Sequence, residues 1–166
     1  AIGLITQSGG IGNSIFTRAY DRSIGLGCFI SSGIELDLEV ADFLEYFVQD
    51  EKTRSIALLL EDLKDPQKFI LAAEKAFQKG KPIVALKVGR SEKGREAAAS
   101  HTGAMSGPDA IYEALFKQKS ISRVMDIDDL LEVAHLFARY ELPAGDRVAV
   151  LSTSGGSGAL LADLAS

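Results

Sequence analysis

The sequence predicts a doubly wound α/β fold built on a parallel sheet, followed by the first strand-helix unit of a second, similar domain. Three observations carry this reading. Strand-like runs and amphipathic helical segments alternate five times between Ala1 and Tyr140. Most of the strand-like runs are apolar throughout rather than alternating, as strands covered by helices on both faces must be. A strand followed by a Ser-Gly-Gly-x-Gly turn and a helix occurs twice, as "ITQSGGIGNS" near the start and "LSTSGGSGAL" near the end.

The elements follow in order. Ile2–Ile5 is the first strand, and the helix Ile11–Ser23 leaves its glycine turn. Leu26–Ile30 is the second strand, and Asp37–Val48 follows as a helix with Val40, Ala41, Phe43, Leu44 and Phe47 inward. Ile56–Leu60 is the third strand. Asp65 then caps a helix with Pro66 in its first position, which runs to about Lys79 and stops at Gly80, with Pro82 beyond. Ile83–Leu86 is the fourth strand, Val88–Ser106 a loop, and Ser106-Gly107-Pro108 the start of a helix ending near Lys119. Ile121–Val124 is shorter and more polar, which places it at an edge. Asp126 opens the last helix of the unit, whose stripe is Leu130, Leu131, Ala134, Phe137 and Ala138. Consecutive parallel strands require right-handed crossovers, so residues 1–140 read as a flavodoxin-like domain. Residues 141–146, "ELPAGD", form a linker, and 147–166 supply the strand Val148–Leu151, a glycine turn and one helix. One strand and one helix cannot bury a core of their own, so this truncated start of a second domain needs a partner to order it.

Composition narrows the function classes. A chain of 166 residues with 46% hydrophobic content supports one domain with a full core. The formal charge of -5, without a compensating Lys/Arg block, argues against a nucleic-acid surface. No apolar run approaches the roughly 20 residues of a membrane span, and no signal-peptide pattern is present. The lone Cys28 cannot form an internal disulfide and reads as a buried, inert thiol, in keeping with a reducing cytoplasm. The chain opens without Met inside a strand-like run and reads as a piece of something longer.

Three features could carry chemistry. Ser8-Gly9-Gly10-Ile11-Gly12 joins a strand to a helix, where free N–H groups and the positive dipole end suit a phosphate. A dinucleotide fingerprint is not met: Ile15 stands where the third glycine belongs, "FISS" brings no acidic residue to the end of the second strand, and no Walker-type loop exists. The competing role for these glycines is close helix–strand packing. Glu61 directly follows the third strand, so it lies at the carboxyl edge of the sheet. At a flavodoxin-like switch point it would face Ser8–Gly12 across the crevice; the competing role is a solvated loop acid. His101 sits among Ala98, Ala99, Ser100, Thr102, Gly103 and Ala104 in a segment made basic by Lys87, Arg90, Lys93 and Arg95. Small neighbours leave an imidazole uncovered, whereas His135 lies between core-facing residues of a helix. A neutral imidazole is a nucleophile when one nitrogen is free and a carboxylate holds the other N–H, and Glu61 is the best-placed carboxylate. A glycine-rich anion site, a carboxylate and a small-flanked histidine on one edge are the equipment for holding a phosphohistidine.

These stretches resemble the NDP-forming acyl-CoA synthetases, whose best-known relative is succinyl-CoA synthetase. The similarity lies in "ITQSGGIGNS", in "FISSGIELDLEVADFLEYF" after the second strand, in "IALLLEDLKD" after the third, and in "PIVALKVGRSEKGREAAASHTGAMSG" after the fourth. The tail "VAVLSTSGGSGALLAD" resembles the start of the next ligase domain. The resemblance implies His101 as the phosphorylated nucleophile and Glu61 as the carboxylate on its second nitrogen. It implies Ser8, Gly9 and Gly10 as one phosphate cap and Ser154, Gly155 and Gly156 as the matching turn. Ile34 departs from the Asn that many relatives carry after Ser32-Gly33. The implied reaction joins a carboxylic acid and CoA with ATP to give acyl-CoA, ADP and phosphate. CoA, ATP/ADP and magnesium are then expected on the whole enzyme, no metal or tightly held cofactor on this piece, and CoA-binding and ATP-grasp domains in cis or on another subunit of an oligomer. The alternative is a synthetase-like regulatory or acyl-CoA-binding portion of a protein acetyltransferase. A flavin module is disfavoured by the absence of Trp and of a Tyr near the turns. A pure interaction module would not be phosphorylated on His101.

Overall fold

The computed structural model describes residues 1–102, 107–145 and 147–165, and only the backbone at 98–102. Four apolar runs and one shorter, more polar one pair into one sheet: β1 (Ile2–Thr6), β2 (Leu26–Ser31), β3 (Ser55–Leu60), β4 (Ile83–Lys87) and β5 (Ser122–Val124). Every ladder is parallel and the order is β2-β1-β3-β4-β5, the flavodoxin-like arrangement. β1, β3 and β4 are buried at every residue, whereas β2 and β5 are only partly buried because each is an edge. The register pairs Thr6 with both Ser31 and Leu59, and Leu60 with Lys87, so the carboxyl ends of four strands lie level.

Seven helices are described: α1 (Gly9–Asp21), α2 (Val40–Gln49), α3 (Pro66–Gln78), α4 (Glu92–Thr102), α5 (Asp109–Gln118), α6 (Ile127–Arg139) and α7 (Gly155–Leu164). Alternate residues of β3 feed opposite faces. Ile56, Leu58 and Leu60 join Leu44, Phe47, Phe69 and Phe116 from α2, α3 and α5. Ala57 and Leu59 join Ile15, Leu130 and Leu131 from α1 and α6. The sequence-predicted caps at Asp65 and Asp126 form, accepting from Lys68 N at 3.0 Å and Asp129 N at 2.8 Å. Gly80, at φ 65°, lies just past the end of α3 as expected.

Several expectations are corrected. α2 begins at Val40 rather than Asp37, because Glu39 and Asp42 form a capping box there and Glu35 Oε1 accepts from Val40 N at 3.1 Å. Part of the expected loop Val88–Ser106 is α4. "EKGREAAASHT" is rich in strong helix formers, and Ser91 Oγ accepts from Gly94 N at 3.1 Å at its start. Ser106 lies outside the described residues, and Pro108 stands at the N-cap of α5. Val148–Leu151 is not a strand: it lies exposed, and none of the described strands pairs with it. Cys28 is free but only partly buried, since β2 is an edge. His135 is half-buried on α6.

Candidate functional site

Ser8–Gly10 and Glu61 meet at the carboxyl edge of the sheet, where β1 and β3 lie side by side while their connections run to opposite faces. Ser8 caps α1, its Oγ accepting from Ile11 N at 3.4 Å. Gly9 and Gly10 fill the first two helical positions and are exposed. A methyl group at Gly10 would meet no atom within 4 Å, and one at Gly9 only Ser31 Oγ at 3.5 Å. Packing therefore does not require glycine at either position. Their amides belong to the helix turn that has no intrahelical acceptor, and they face outward at the positive dipole end. Gly12 is different. A Cβ there would lie 2.5 Å from Thr6 Oγ1 and 2.8 Å from Phe29 Cζ, so the packing role belongs to this glycine.

Glu61 follows the last residue of β3, level with Ser8, because Thr6 pairs with Leu59. Its backbone is held by Gln7, a residue that sequence reasoning missed. Gln7 Oε1 accepts from the backbone N–H of Glu61 (2.5 Å) and of Asp62 (3.0 Å), and its Nε2 donates to Asp62 O at 2.9 Å. One side chain thus sews the end of β3 to the end of β1. The available signal was a polar residue between the first strand and its glycine turn, and no spacing rule marks it.

A second polar group lies beside this one. Lys87 ends β4 and is 1% exposed, although the sequence places it in a basic loop. Its Nζ donates to Val88 O and stands 4.6 Å from the centre of the Tyr112 ring. Tyr112 Oη donates to Asp62 Oδ1 at 2.6 Å. Burial pushes the Lys87 pKa below the ordinary lysine range, against the pull of Asp62 and Asp109. Burial, reinforced by the bond to Asp62, pushes the Tyr112 hydroxyl well above its ordinary value. On the other flank Gly33 takes φ 63° in the turn after β2, and Ile34 is 59% exposed, so the position where the resemblance leads one to expect Asn is open to solvent. Buried Glu35 accepts from Ser32 Oγ at 2.7 Å, while its Oε2 has no hydrogen-bond partner among the described residues. Desolvation raises its pKa above the usual carboxylate value.

His101 belongs to α4 by its backbone, as the penultimate residue, and its side chain lies outside the described residues. Ser154 caps α7 as Ser8 caps α1, its Oγ accepting from Ser157 N at 3.4 Å, with Gly155 and Gly156 exposed in the first turn. The two turns share one local geometry. Ser8–Gly10, Glu61 and the start of the segment leading to His101 are brought to one edge, while Ser154–Gly156 sit outside the sheet. Among the described residues no group of three His, Cys, Asp or Glu side chains is placed to hold a metal ion. None of the described helices is long and apolar enough to cross a membrane.

The family model for the succinyl-CoA ligase like flavodoxin domain matches residues 1–137. The chain belongs to this family. As a succinyl-CoA ligase like flavodoxin domain, it is 43% identical over 162 residues to the alpha subunit of ADP-forming acetate–CoA ligase II of Pyrococcus furiosus, covering 98% of this chain and 35% of that protein. It is 40% identical over 162 residues to ADP-forming acetate–CoA ligase of Methanocaldococcus jannaschii, covering 98% of this chain and 23% of that one. Among solved structures, a dinucleotide forming acetyl-coenzyme A synthetase 1 from Ca. Korarchaeum cryptofilum, in complex with phosphate and ADP, superposes with a TM-score of 0.90. It is 34% identical, with 98% of this chain and 35% of that one covered. The succinyl-CoA ligase like domain described here therefore spans about a third or less of these relatives' lengths.

Proposed function

We propose that this chain is the phosphate-carrying ligase domain of an ADP-forming acyl-CoA synthetase. In this reading the whole protein interconverts a carboxylic acid, CoA and ATP with acyl-CoA, ADP and phosphate. The observation that supports it most is the turn at Ser8–Gly10. Its glycines are not required by packing, their amides are open, and Glu61 stands level with them across the β1/β3 crevice.

The chemistry would run on this chain's own groups. A nitrogen of His101 attacks the phosphorus of an acyl phosphate. The N–P bond forms as the P–O bond to the acyl group breaks, and the carboxylate leaves. Glu61 accepts the N–H of the other nitrogen and so stabilises the imidazolium that develops. The amides of Ser8, Gly9 and Gly10 cap the phosphoryl oxygens, with Ser154, Gly155 and Gly156 as the second cap. Transfer to ADP regenerates the free imidazole. Helix N-termini suit this task because they stabilise negative charge without adding an ionisable group that would compete for the proton. CoA and nucleotide would bind to parts outside these residues, a CoA-binding and an ATP-grasp domain in cis or on a partner subunit. Magnesium would accompany the nucleotide there.

The test is phosphate transfer from γ-labelled ATP to a full-length protein carrying this sequence, with His101→Ala and Glu61→Gln alongside. The expected result is label that survives alkali, is lost in acid, and is absent from His101→Ala. Strong label in Glu61→Gln would remove Glu61 from the mechanism. An unlabelled wild type that binds ATP would overturn the catalytic reading in favour of a regulatory or acyl-CoA-binding role.

A further inference from the structure

Lys87 is the one fully buried lysine in a strand whose other residues, Ile83 to Leu86, are all apolar. An ammonium in that position is far more costly to bury than a methionine of similar length, so packing does not account for it. What it touches does. Its Nζ donates to the carbonyl of Val88, and Val88 N donates to Leu60 O at 2.9 Å, so the first residue after β4 is held by its amide to the end of β3 and by its carbonyl to Lys87. The same Nζ lies over the face of Tyr112, which belongs to α5, the next helix after α4. Tyr112 in turn is bonded to Asp62, the neighbour of Glu61. The way into α4 is thereby fastened to the last residue of β3, and the helix that follows α4 to Asp62, two residues further on.

We propose that Lys87, with Tyr112 and Asp62, is a positioning group for the phosphohistidine chemistry: a buried clamp that aligns the start of the His101-bearing segment with the residues that follow β3, Glu61 among them. The inference rests on the proposed role of His101 and Glu61.

The test uses a full-length protein carrying this sequence, as wild type, Lys87→Met, Lys87→Arg and Tyr112→Phe. Two readouts are taken: the maximal labelling rate with its half-saturating ATP concentration, and hydrogen exchange of the Val88 amide. Misplacing a reacting group slows the chemistry without weakening binding elsewhere, so Lys87→Met should label about tenfold to a hundredfold more slowly at an unchanged half-saturating ATP concentration. Its Val88 amide should exchange faster than in wild type. Lys87→Arg should bring the rate back toward wild type, and Tyr112→Phe, which loses the bond to Asp62, should slow labelling as well. A purely packing role would lower stability and leave the labelling rate of the folded protein unmoved. A wild-type rate in a folded Lys87→Met protein would overturn the clamp. If Lys87→Met does not fold, a wild-type rate in Tyr112→Phe would overturn it equally. A wild type that takes no label would overturn the histidine chemistry instead, and exchange at Val88 would still decide whether Lys87 fastens this segment.

Discussion

Gly10 and Gly12 are two residues apart in one helix, and the same substitution should push them in opposite directions. In Gly12→Ala the new methyl would sit 2.5 Å from Thr6 Oγ1 and 2.8–3.0 Å from the Phe29 ring. Neither neighbour can step aside easily. Thr6 is fully buried in β1 with its Oγ1 donating to Ser8 O, and the Phe29 ring stacks on Phe16 with centroids 6.2 Å apart. Overpacking of this kind costs about 1–3 kcal/mol, while replacing helical Gly by Ala returns about 0.5–1 kcal/mol. The net expectation is a loss of about 1–2 kcal/mol, which for a chain of this size lowers Tm by roughly 2–8 °C. In Gly10→Ala nothing lies within 4 Å of the added methyl, so stability should hold or rise by about half a kcal/mol. Yet that methyl would stand over the open amides, and the labelling of the full-length protein should fall. Urea and thermal unfolding of the two variants beside wild type check the first half. A Gly12→Ala protein as stable as wild type, or a Gly10→Ala protein less stable than Gly12→Ala, would refute the assignment of packing to one glycine and phosphate contact to the other.

Further expectations concern the two carboxamide and carboxyl groups beneath the site. Gln7→Ala removes three hydrogen bonds from the end of β3. Because the N–H groups of Glu61 and Asp62 are only part-buried and water can replace the lost acceptor, the loss of stability should be about 1–2 kcal/mol, read by urea unfolding, together with slower labelling in the full-length protein. Glu35 has its folded pKa raised by desolvation. Between the ordinary value and that raised value the folded state therefore binds more protons than the unfolded one, so stability should fall as pH rises through this window. Glu35→Gln, which keeps an acceptor for Ser32 and Val40, should remove that dependence and be the more stable protein at neutral pH. Melting curves from pH 4 to 7 that remain parallel for the two proteins would contradict it.

Strand positions, the doubly wound order and the caps at Asp65 and Asp126 were legible because each has a strong local signature: an unbroken apolar run, or a capping residue before an apolar stripe. The alignment of Ser8 with Glu61 followed from strand order alone. Helix α4 was not legible, because "EKGREAAASHT" carries high helix propensity but no apolar face, and the basic residues around it read as a loop. Lys87 was misplaced for a related reason. A charged residue after four apolar ones looks like the exit from a strand, and only the neighbouring ladder with Leu60 and the Tyr112 ring reveals it as the buried last residue. Gln7 acts through three-dimensional pairing of β1 with β3, information that no single segment contains. The tail misled in the opposite sense: its strand pattern is sound, but a strand exists only where another chain segment accepts its hydrogen bonds.

That tail has a practical bearing on handling the protein. Helix α7 buries none of its residues, and Leu151, Leu160 and Leu164 are 101%, 60% and 76% exposed. A ten-residue helix opening with Gly-Gly-Ser-Gly is too short and too glycine-rich to persist by its own propensity, so its amides should exchange with solvent far faster than those of β1, β3 and β4. Residues 147–165 thus add adhesive surface without adding to the cooperative unit that melts. A version ending at Ala144 should keep the same melting temperature and remain dispersed at concentrations where the longer chain begins to associate.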